Sequence, residues 1–292
     1  MPAMNDHDSR QRFLFDGTDI RGEITSLATS YQTLVAQQQY PEPVAKLFGE
    51  FLVAASLLSA TLKFSGIVTI QAMGNGPLSA IMAECSQGTK LRGIVRGDFD
   101  AGSKAKCLQD FLGNASLAIT IEPEGGERYQ GIVPMESDNL SGCLEHYFNQ
   151  SEQLPTQIKI SADKQLATGM LVQQMPNRDT AEKVAADWAH ISALMQTLQA
   201  EEQLSLSHAE QLYRLFHEDG VRLFEPEALH FFCSCSRQRT EQALISLGSE
   251  EIYDICKEQG SVQITCEFCN EKYEFHKNHV DDMFSKPPPI IH

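Results

Sequence analysis

The longest continuous apolar run lies early in the chain and has the periodicity of a helix. It covers residues 51–62, and the apolar positions before it continue the same three- and four-residue spacing back to Pro43. This spacing predicts a helix over 43–62 that packs against a sheet. The run holds twelve residues between two charged ones, well short of the roughly 20 needed to cross a bilayer. We therefore expect a buried helix and no membrane association.

Short segments rich in β-branched residues and bounded by Gly, Pro or Asn are typical of strands. A second, shorter helix is predicted over 139–148. The strands do not alternate regularly with long helices, so the pattern favours an α+β fold over a doubly wound parallel sheet. The predicted strands of this first part of the chain are 67–73, 117–121, 128–133 and 157–160.

After residue 178 the pattern changes to that of amphipathic helices. No Gly or Pro occurs between residues 180 and 203, and one narrow apolar stripe recurs at three- and four-residue steps, which predicts a single helix. A second helix is predicted after Ser207, because Ser207 and Glu210 have the spacing of a capping box. The stripe can stay packed on the first domain or leave it to contact another protein, and the local sequence decides nothing between the two. Its members are Val184, Trp188, Ile191, Met195 and Leu198.

The last part of the chain is predicted to be a small separate unit. Two short helices are expected between residues 240 and 260, and alternating patterns predict strands near 262–266 and 273–275. The sequence therefore predicts three parts: an α+β core domain over 1–178, a helical linker over 179–230 and a small C-terminal domain over 231–292.

Cysteines are concentrated in this C-terminal part, which holds five of the eight. Four of them form two pairs, Cys233-Ser-Cys235 and Cys266-Glu-Phe-Cys269, with 30 residues between the pairs. Four thiolates brought together in this way make a tetrahedral site that suits Zn²⁺. The unit has a small core, so metal binding would supply much of its folding free energy. We therefore predict one zinc ion per chain, bound by Cys233, Cys235, Cys266 and Cys269.

Two roles are open for such a centre. A purely structural zinc ribbon explains the spacing of the second pair. The first pair is tighter than is usual in structural sites and is followed by Arg237 and Arg239, whose positive charge would favour the oxidisable thiolate form. A hydrolytic centre is not expected, because four cysteines leave no open position for water, and we predict no enzymatic activity. The remaining thiols have no partner spacing and are treated as ordinary: Cys85, Cys107, Cys143 and Cys256, the last expected to be buried.

The charge of the chain narrows the choice of partners. Its 23 basic and 39 acidic side chains give a formal net charge of −16. A negative charge is the wrong sign for binding nucleic acid or anionic lipid along an extended surface of the protein. Residues 233–292 also carry more acidic than basic side chains, which disfavours the alternative of a zinc ribbon that binds nucleic acid. The polar N-terminal segment lacks the apolar stretch of a secretory signal, so we expect a cytoplasmic protein.

Nearly the whole chain resembles the thirty-three-kilodalton heat-shock protein family, the redox-regulated holdase chaperones of bacteria. The combination of Cys-x-Cys, a 30-residue gap and Cys-x-x-Cys is highly specific to that family. Further segments that carry the resemblance are Tyr40-Pro-Glu-Pro43, Gly74-Asn-Gly-Pro77, Gly126-Glu-Arg-Tyr-Gln-Gly131 and Ser151-Glu-Gln-Leu-Pro155.

The resemblance implies a mechanism. Zinc would be held in the reduced, inactive protein, and oxidation would join Cys233 to Cys235 and Cys266 to Cys269. Metal release would then unfold the C-terminal domain and loosen the linker, and the protein would dimerise and hold unfolding client proteins without ATP. The apolar stripe from Val184 to Leu198 becomes a candidate client-binding surface. The four further cysteines are outside the family motif, which leaves mixed disulfides open.

Overall fold

The computed structural model describes residues 6–62, 65–176 and 180–285. The chain divides into two compact units, Met1–Phe232 and Cys233–His292. The second unit begins two residues after the predicted boundary at 231, and the segment predicted as a linker belongs to the first unit. The other predicted boundary, after residue 178, lies outside the described residues. A separate redox-sensitive role for 179–230 stays a prediction.

Two six-stranded sheets form the first unit, within the residues that the structure describes. The strands in chain order are β1 (Ser9–Phe15), β2 (Ile20–Leu27), β3 (Gly66–Gly74), β4 (Leu78–Ser86), β5 (Lys90–Gly97), β6 (Ala115–Pro123), β7 (Tyr129–Pro134), β8 (Thr156–Ala162), β9 (Ala167–Gln174), β10 (Val221–Leu223), β11 (Glu227–Ala228) and β12 (His230–Phe231). One sheet has the order β10-β1-β2-β9-β8 with β11 beside β1, and the other has the order β12-β5-β4-β3-β6-β7. The predicted strands correspond to β3, β6, β7 and β8, and the α+β prediction is confirmed.

One long helix is central to this unit. The helices are α1 (Thr29–Gln38), α2 (Glu42–Thr61), α3 (Phe99–Gly102), α4 (Leu108–Leu112), α5 (Leu140–Tyr147) with a π-helical turn at Phe148–Glu152, α6 (Ala181–Gln196), α7 (Ala200–Ser205) and α8 (His208–Phe216). Helix α2 contacts strands of both sheets and forms the middle of the largest apolar cluster. By length and composition α2 could cross a membrane, but 83% of its most apolar 18-residue stretch is buried inside the protein, as in a core helix. The prediction of a buried helix is confirmed.

Three arginines from the first two strands bind the C-terminal end of α2. The last four carbonyl groups of a helix have no partners within it and carry partial negative charge, so the cations that reach Ala60 O and Thr61 O are stabilising there, whereas Arg10 binds one turn earlier. These contacts tie β1 and β2 to the end of the core helix. They are Arg10 Nη1 to Ser56 O at 2.9 Å, Arg12 Nη2 to Ala60 O at 3.1 Å and Arg21 Nη2 to Thr61 O at 3.3 Å.

The single helix predicted over 180–203 is wrong, because two helices, α6 and α7, occupy this segment. The backbone amide of Gln199 donates to Glu202 Oε2 at 3.1 Å, which satisfies an exposed amide at the start of a new helix. A side chain thus supports the break, and neither Gly nor Pro is required. Leu198 consequently lies between the two helices. The predicted helix start at Ser207 is confirmed, and the Ser207 amide donates to Glu210 Oε2 at 2.9 Å.

The apolar stripe faces the first sheet. Ile191, Met195 and Leu198 are buried in an apolar cluster with side chains of β1, β2 and β9 and with α8, and Trp188 packs at its margin. Val184 is also buried. Within this cluster the rings of Phe15 and Phe216 lie edge to face with centroids 4.9 Å apart, a geometry that adds to the area they bury. Helices α6, α7 and α8 together are called the helical segment below. This segment is therefore docked on the first sheet in this structure.

Polar contacts also hold the helical segment in place. His208 is fully buried, and its Nδ1 and Nε2 lie 2.8 Å from Gln11 Oε1 and 2.9 Å from Ser26 Oγ. Its backbone amide donates to Asp6 Oδ2 at 2.7 Å. Burial lowers the pKa of His208 to about 4, an effect that Asp6 partly opposes. The ring is therefore neutral at pH 7 and is matched to neutral partners on β1 and β2.

The chain between α8 and the second unit adds strands to both sheets. Strands β10 and β11 pair with β1, and β12 pairs with β5 in parallel. Arg10, itself buried, forms an ion pair with Glu227 of β11. The segment predicted as a helical linker therefore ends in strands, because distant partner strands are available to it.

The second unit is small. Its elements are α9 (Arg237–Leu247), α10 (Ser249–Gln259), β13 (Ser261–Thr265), β14 (Lys272–His276) and α11 (Lys277–Ser285). The two predicted helices and two predicted strands are confirmed, whereas α11 was not predicted. The buried apolar residues of this unit are Leu244, Ile252, Cys256, Val262, Phe275, Val280 and Met283.

Candidate metal centre

The first cysteine pair lies directly before helix α9. The Ser236 side chain caps that helix by accepting from the Arg239 amide at 3.2 Å. The Arg239 guanidinium turns back and donates to Ser234 O at 2.9 Å and to Ser234 Oγ at 2.8 Å. The residue between Cys233 and Cys235 is thus fixed from both its backbone and its side chain, which orients the two sulfur atoms.

The second pair occupies the tight turn of a β-hairpin. Strands β13 and β14 pair antiparallel up to Thr265 and Lys272, and the pair lies in the turn that joins them. The amide of Cys266 donates to Glu271 O at 2.8 Å, and the amide of Asn270 donates to Cys266 O at 2.8 Å. Asn270 has a φ of 57°, a left-handed conformation that Asn tolerates better than most residues. The turn directs Cys266 and Cys269 to the same side.

All four sulfur atoms lie within 4.8 Å of one another. Sγ of Cys233 is 3.7 Å from Sγ of Cys266, and Sγ of Cys235 is 3.4 Å from Sγ of Cys269. In a tetrahedral site with metal–sulfur bonds of 2.3 Å, neighbouring sulfur atoms are about 3.8 Å apart. The four cysteines therefore form a cluster of the right size for one metal ion. In the part of the chain that the structure describes, it is the one group of three or more possible metal ligands this close together.

The four thiols do not share one environment. Burial raises the pKa of Cys233 and of Cys269 above its usual value, and neighbouring thiols raise that of Cys269 further. Burial also acts on Cys235, but the hydroxyl of Tyr273, which donates to its Sγ at 3.1 Å, and the surrounding thiols outweigh burial and lower its pKa. Holding four free thiolates this close together without a cation is therefore unfavourable. The positive charge of a divalent ion would offset the repulsion between them and the loss of their hydration.

The two arginines that follow the first pair are directed elsewhere. Arg239 binds Ser234, and the Arg237 guanidinium stacks over the Phe275 ring with 4.2 Å to its centroid. Phe275 is fully buried in the core of this unit. The arginines thus support the loop and the core, which differs from the direct thiolate stabilisation expected from sequence.

Tyr273 contacts the cluster in a way that the sequence did not predict. Its place on a strand was predicted, but its contact with a sulfur atom was not. No local pattern signals this contact, because Cys235 lies on a separate segment, 38 residues before Tyr273.

The remaining cysteines lie away from the centre. Cys85 and Cys143 are buried in the first unit and Cys107 is partly exposed there. Cys256 is buried in the core of the second unit, as predicted.

Comparisons with known proteins agree along nearly the whole chain. The family model described as "Hsp33 protein" matches residues 8–276. The 33 kDa chaperonin of Pseudomonas paraeruginosa is 45% identical over 285 residues, which cover 97% of this chain and 96% of that protein. The 33 kDa chaperonin of Ectopseudomonas mendocina is 46% identical over 282 residues, with 96% of each chain covered. The crystal structure of the 33 kDa chaperonin of Thermotoga maritima, 22% identical, has a TM-score of 0.81 over 96% of this chain and 98% of that one, which supports the fold.

The fold and the cysteine cluster define a two-unit protein whose smaller unit can hold a metal ion. The match to the family model and the identity to the two relatives extend over both units. This chain belongs to the Hsp33 family. Hsp33 proteins are chaperones and not enzymes, so the predictions of chaperone class and of no enzymatic activity are confirmed.

Proposed function

We propose that this chain is a redox-regulated, ATP-independent holdase chaperone that binds unfolding proteins under oxidative stress in the cytoplasm. The observation that carries the proposal is the cluster of four cysteine sulfur atoms within 4.8 Å in a small separate unit. Membership of the Hsp33 family supports the chaperone role. The cluster supplies a means by which an oxidant could control it.

Zinc is the metal that best fits this donor set. Four sulfur ligands in a tetrahedral arrangement are typical of Zn²⁺, and Cys233, Cys235, Cys266 and Cys269 would bind one ion per chain. When bound, the ion would supply folding free energy to a unit whose described residues bury seven apolar side chains. Loss of the ion would therefore destabilise the whole unit.

Oxidation would remove the ligands. In each disulfide, two thiolates would lose two electrons to hydrogen peroxide, which takes up two protons and leaves as two water molecules. The pairing Cys233–Cys235 and Cys266–Cys269 follows from the family resemblance. The structure also brings sulfur atoms of different pairs close together, Cys233 to Cys266 at 3.7 Å and Cys235 to Cys269 at 3.4 Å, so proximity alone does not select this pairing.

Release of the helical segment would create the client-binding surface. Ile191, Met195 and Leu198 now cover apolar side chains of the first sheet, including Phe13 and Phe15. If α6–α8 leave the sheet, both apolar faces become available to unfolded segments of a client. A permanently exposed patch of this kind would favour aggregation, which is a physical reason for regulation. The same surfaces could support the homodimer proposed for the oxidised form.

The test is a comparison of reduced and oxidised protein. Suppression of aggregation of a denatured client is measured before and after peroxide, together with zinc release and thiol count. We expect release of one zinc and loss of four thiols to accompany the gain of activity. A Cys107→Ser variant is the control, because it removes a partly exposed thiol outside the cluster. Equal activity in the reduced and oxidised states would contradict the proposal.

A further inference from the structure

Hydrogen bonds to three of the four sulfur atoms come from different kinds of donor. Cys233 accepts from the backbone amide of Cys235, and Cys269 accepts from the backbone amide of Glu271. Cys235 instead accepts from the side-chain hydroxyl of Tyr273, with an oxygen–sulfur distance of 3.1 Å. Backbone donors belong to the loops themselves, whereas this hydroxyl is brought in by a strand. The hydrogen bonding of the cluster is therefore asymmetric, because Cys235 depends on the side chain of Tyr273 for its donor.

The Tyr273 ring is held by its surroundings. It lies on β14, opposite Ile264 of β13, and packs against the apolar core of the second unit. Fixing the ring fixes the direction of the hydroxyl, so the hydrogen bond to Cys235 does not depend on a freely rotating side chain. Such contacts beyond the ligands orient ligand atoms and tune the reactivity of a metal site.

A hydrogen bond draws electron density from a thiolate and lowers its nucleophilicity. Reaction with hydrogen peroxide begins when a sulfur atom attacks one oxygen. The sulfur–oxygen bond forms, the oxygen–oxygen bond breaks, the sulfur supplies two electrons, and the departing hydroxide takes a proton to become water. A hydrogen-bond donor that withdraws electron density from the attacking sulfur therefore slows this step.

We propose that Tyr273 is a positioning residue that orients the Cys235 sulfur and, through its hydroxyl, slows the reaction of that sulfur with peroxide. The hydroxyl thereby raises the amount of oxidant needed to open the centre. This inference rests on the proposed metal centre and deepens it, because it assigns the oxidation threshold to one atom outside the ligand set.

The test compares Tyr273→Phe with the parent chain, both loaded with zinc. The substitution removes the hydroxyl and keeps the ring. Zinc release under excess peroxide is expected to become about 10-fold faster, within the range of effects seen for groups that contact metal ligands. Short peroxide exposure followed by alkylation and mass spectrometry should show that the added oxidation falls on Cys235.

Tyr253→Phe is the matched control. Tyr253 belongs to the same unit and packs beside Phe284, with ring centroids 5.9 Å apart, and its hydroxyl is hydrogen-bonded to Asp281 rather than to one of the four cluster cysteines. This variant should release zinc at the parent rate.

A spectroscopic measurement shows whether the Tyr273 hydroxyl changes the electron density on the Cys235 sulfur or only supports the fold. With Co²⁺ in place of zinc, the sulfur-to-metal charge-transfer absorption should shift to longer wavelength in Tyr273→Phe and stay unchanged in Tyr253→Phe. Parent-like zinc release and absorption in Tyr273→Phe would overturn the inference and leave the proposed function intact. Loss of metal binding by this variant would also overturn it, because the hydroxyl would then be needed to assemble the site. A parent chain that binds no metal would instead overturn the proposed function.

Discussion

Acidification should loosen the helical segment through His208. This side chain is fully buried against the first two strands, and its partners there, Gln11 and Ser26, are neutral. Burial lowers its pKa from the usual 6.5 to about 4. A histidine with a lowered pKa contributes stability above its usual pKa, and that contribution is lost as the pH falls towards the folded-state value.

The size of the effect follows from the two pKa values. At pH 5 a free histidine is almost entirely protonated, whereas His208 in the folded protein remains mostly neutral. Linkage between these two states gives a loss of about 2 kcal/mol between pH 7 and pH 5. This is a large fraction of the stability of a typical domain.

Trp188, the one tryptophan of the chain, provides the assay. It packs at the margin of the apolar cluster beneath the helical segment, so its fluorescence reports release of that segment. Urea unfolding is followed at pH 7 and pH 5 for the parent chain and for His208→Gln, which retains hydrogen-bonding groups and does not titrate. We expect the parent to lose about 2 kcal/mol more than the variant over this range. The same pH dependence in both chains would refute the reasoning.

Three further changes test other parts of the structure. Phe216→Ala removes a buried ring at the contact between α8 and β1, which should cost about 3–5 kcal/mol and give client binding without oxidant, measured by aggregation suppression. Chelation of the metal should abolish protection from hydrogen exchange over 233–285 and leave protection of β3–β6 unchanged; retained protection in both would contradict a metal-dependent unit. Burial raises the pKa of Glu50 to about 7, so its neutral form stabilises the fold in acid and that stabilisation is lost as the pH rises through 7. Glu50→Gln should therefore remove a fall in melting temperature between pH 6 and pH 8, and an unchanged fall would show that another group causes it.

Elements whose conformation is specified by a short-range pattern are predictable from the sequence. The apolar periodicity of α2 and the capping box at Ser207 each specify a local conformation, and both are observed. Strand β1 is different, because Arg10 and Gln11 are buried although polar residues suggest exposure. Their burial is possible because distant groups satisfy them: Arg10 binds the end of α2 and Gln11 binds His208.

The break between α6 and α7 is a second feature that depends on partners distant in the chain. An uninterrupted stretch without Gly or Pro predicts one helix, yet Gln199 begins a new one. The shorter α7 lets Gln203 reach β8, where its amide group donates to Lys159 O at 3.1 Å and accepts from Ser161 Oγ at 2.8 Å. These partners are about forty residues away along the chain. A local pattern contains no information about them.

The amino-acid sequence by itself identified the four cysteines of the candidate metal centre, because cysteines spaced as two close pairs are typical of a metal site. It also determined the apolar stripe and the core helix, whose periodicities are properties of neighbouring residues. Only the tertiary structure decided that the stripe is covered by the first sheet, that His208 is buried, and that the Tyr273 hydroxyl contacts Cys235. Each of these depends on strands and helices distant in the chain meeting at a particular register, and hydrogen bonds of about 3 Å are too sensitive to that register to be predicted from spacing.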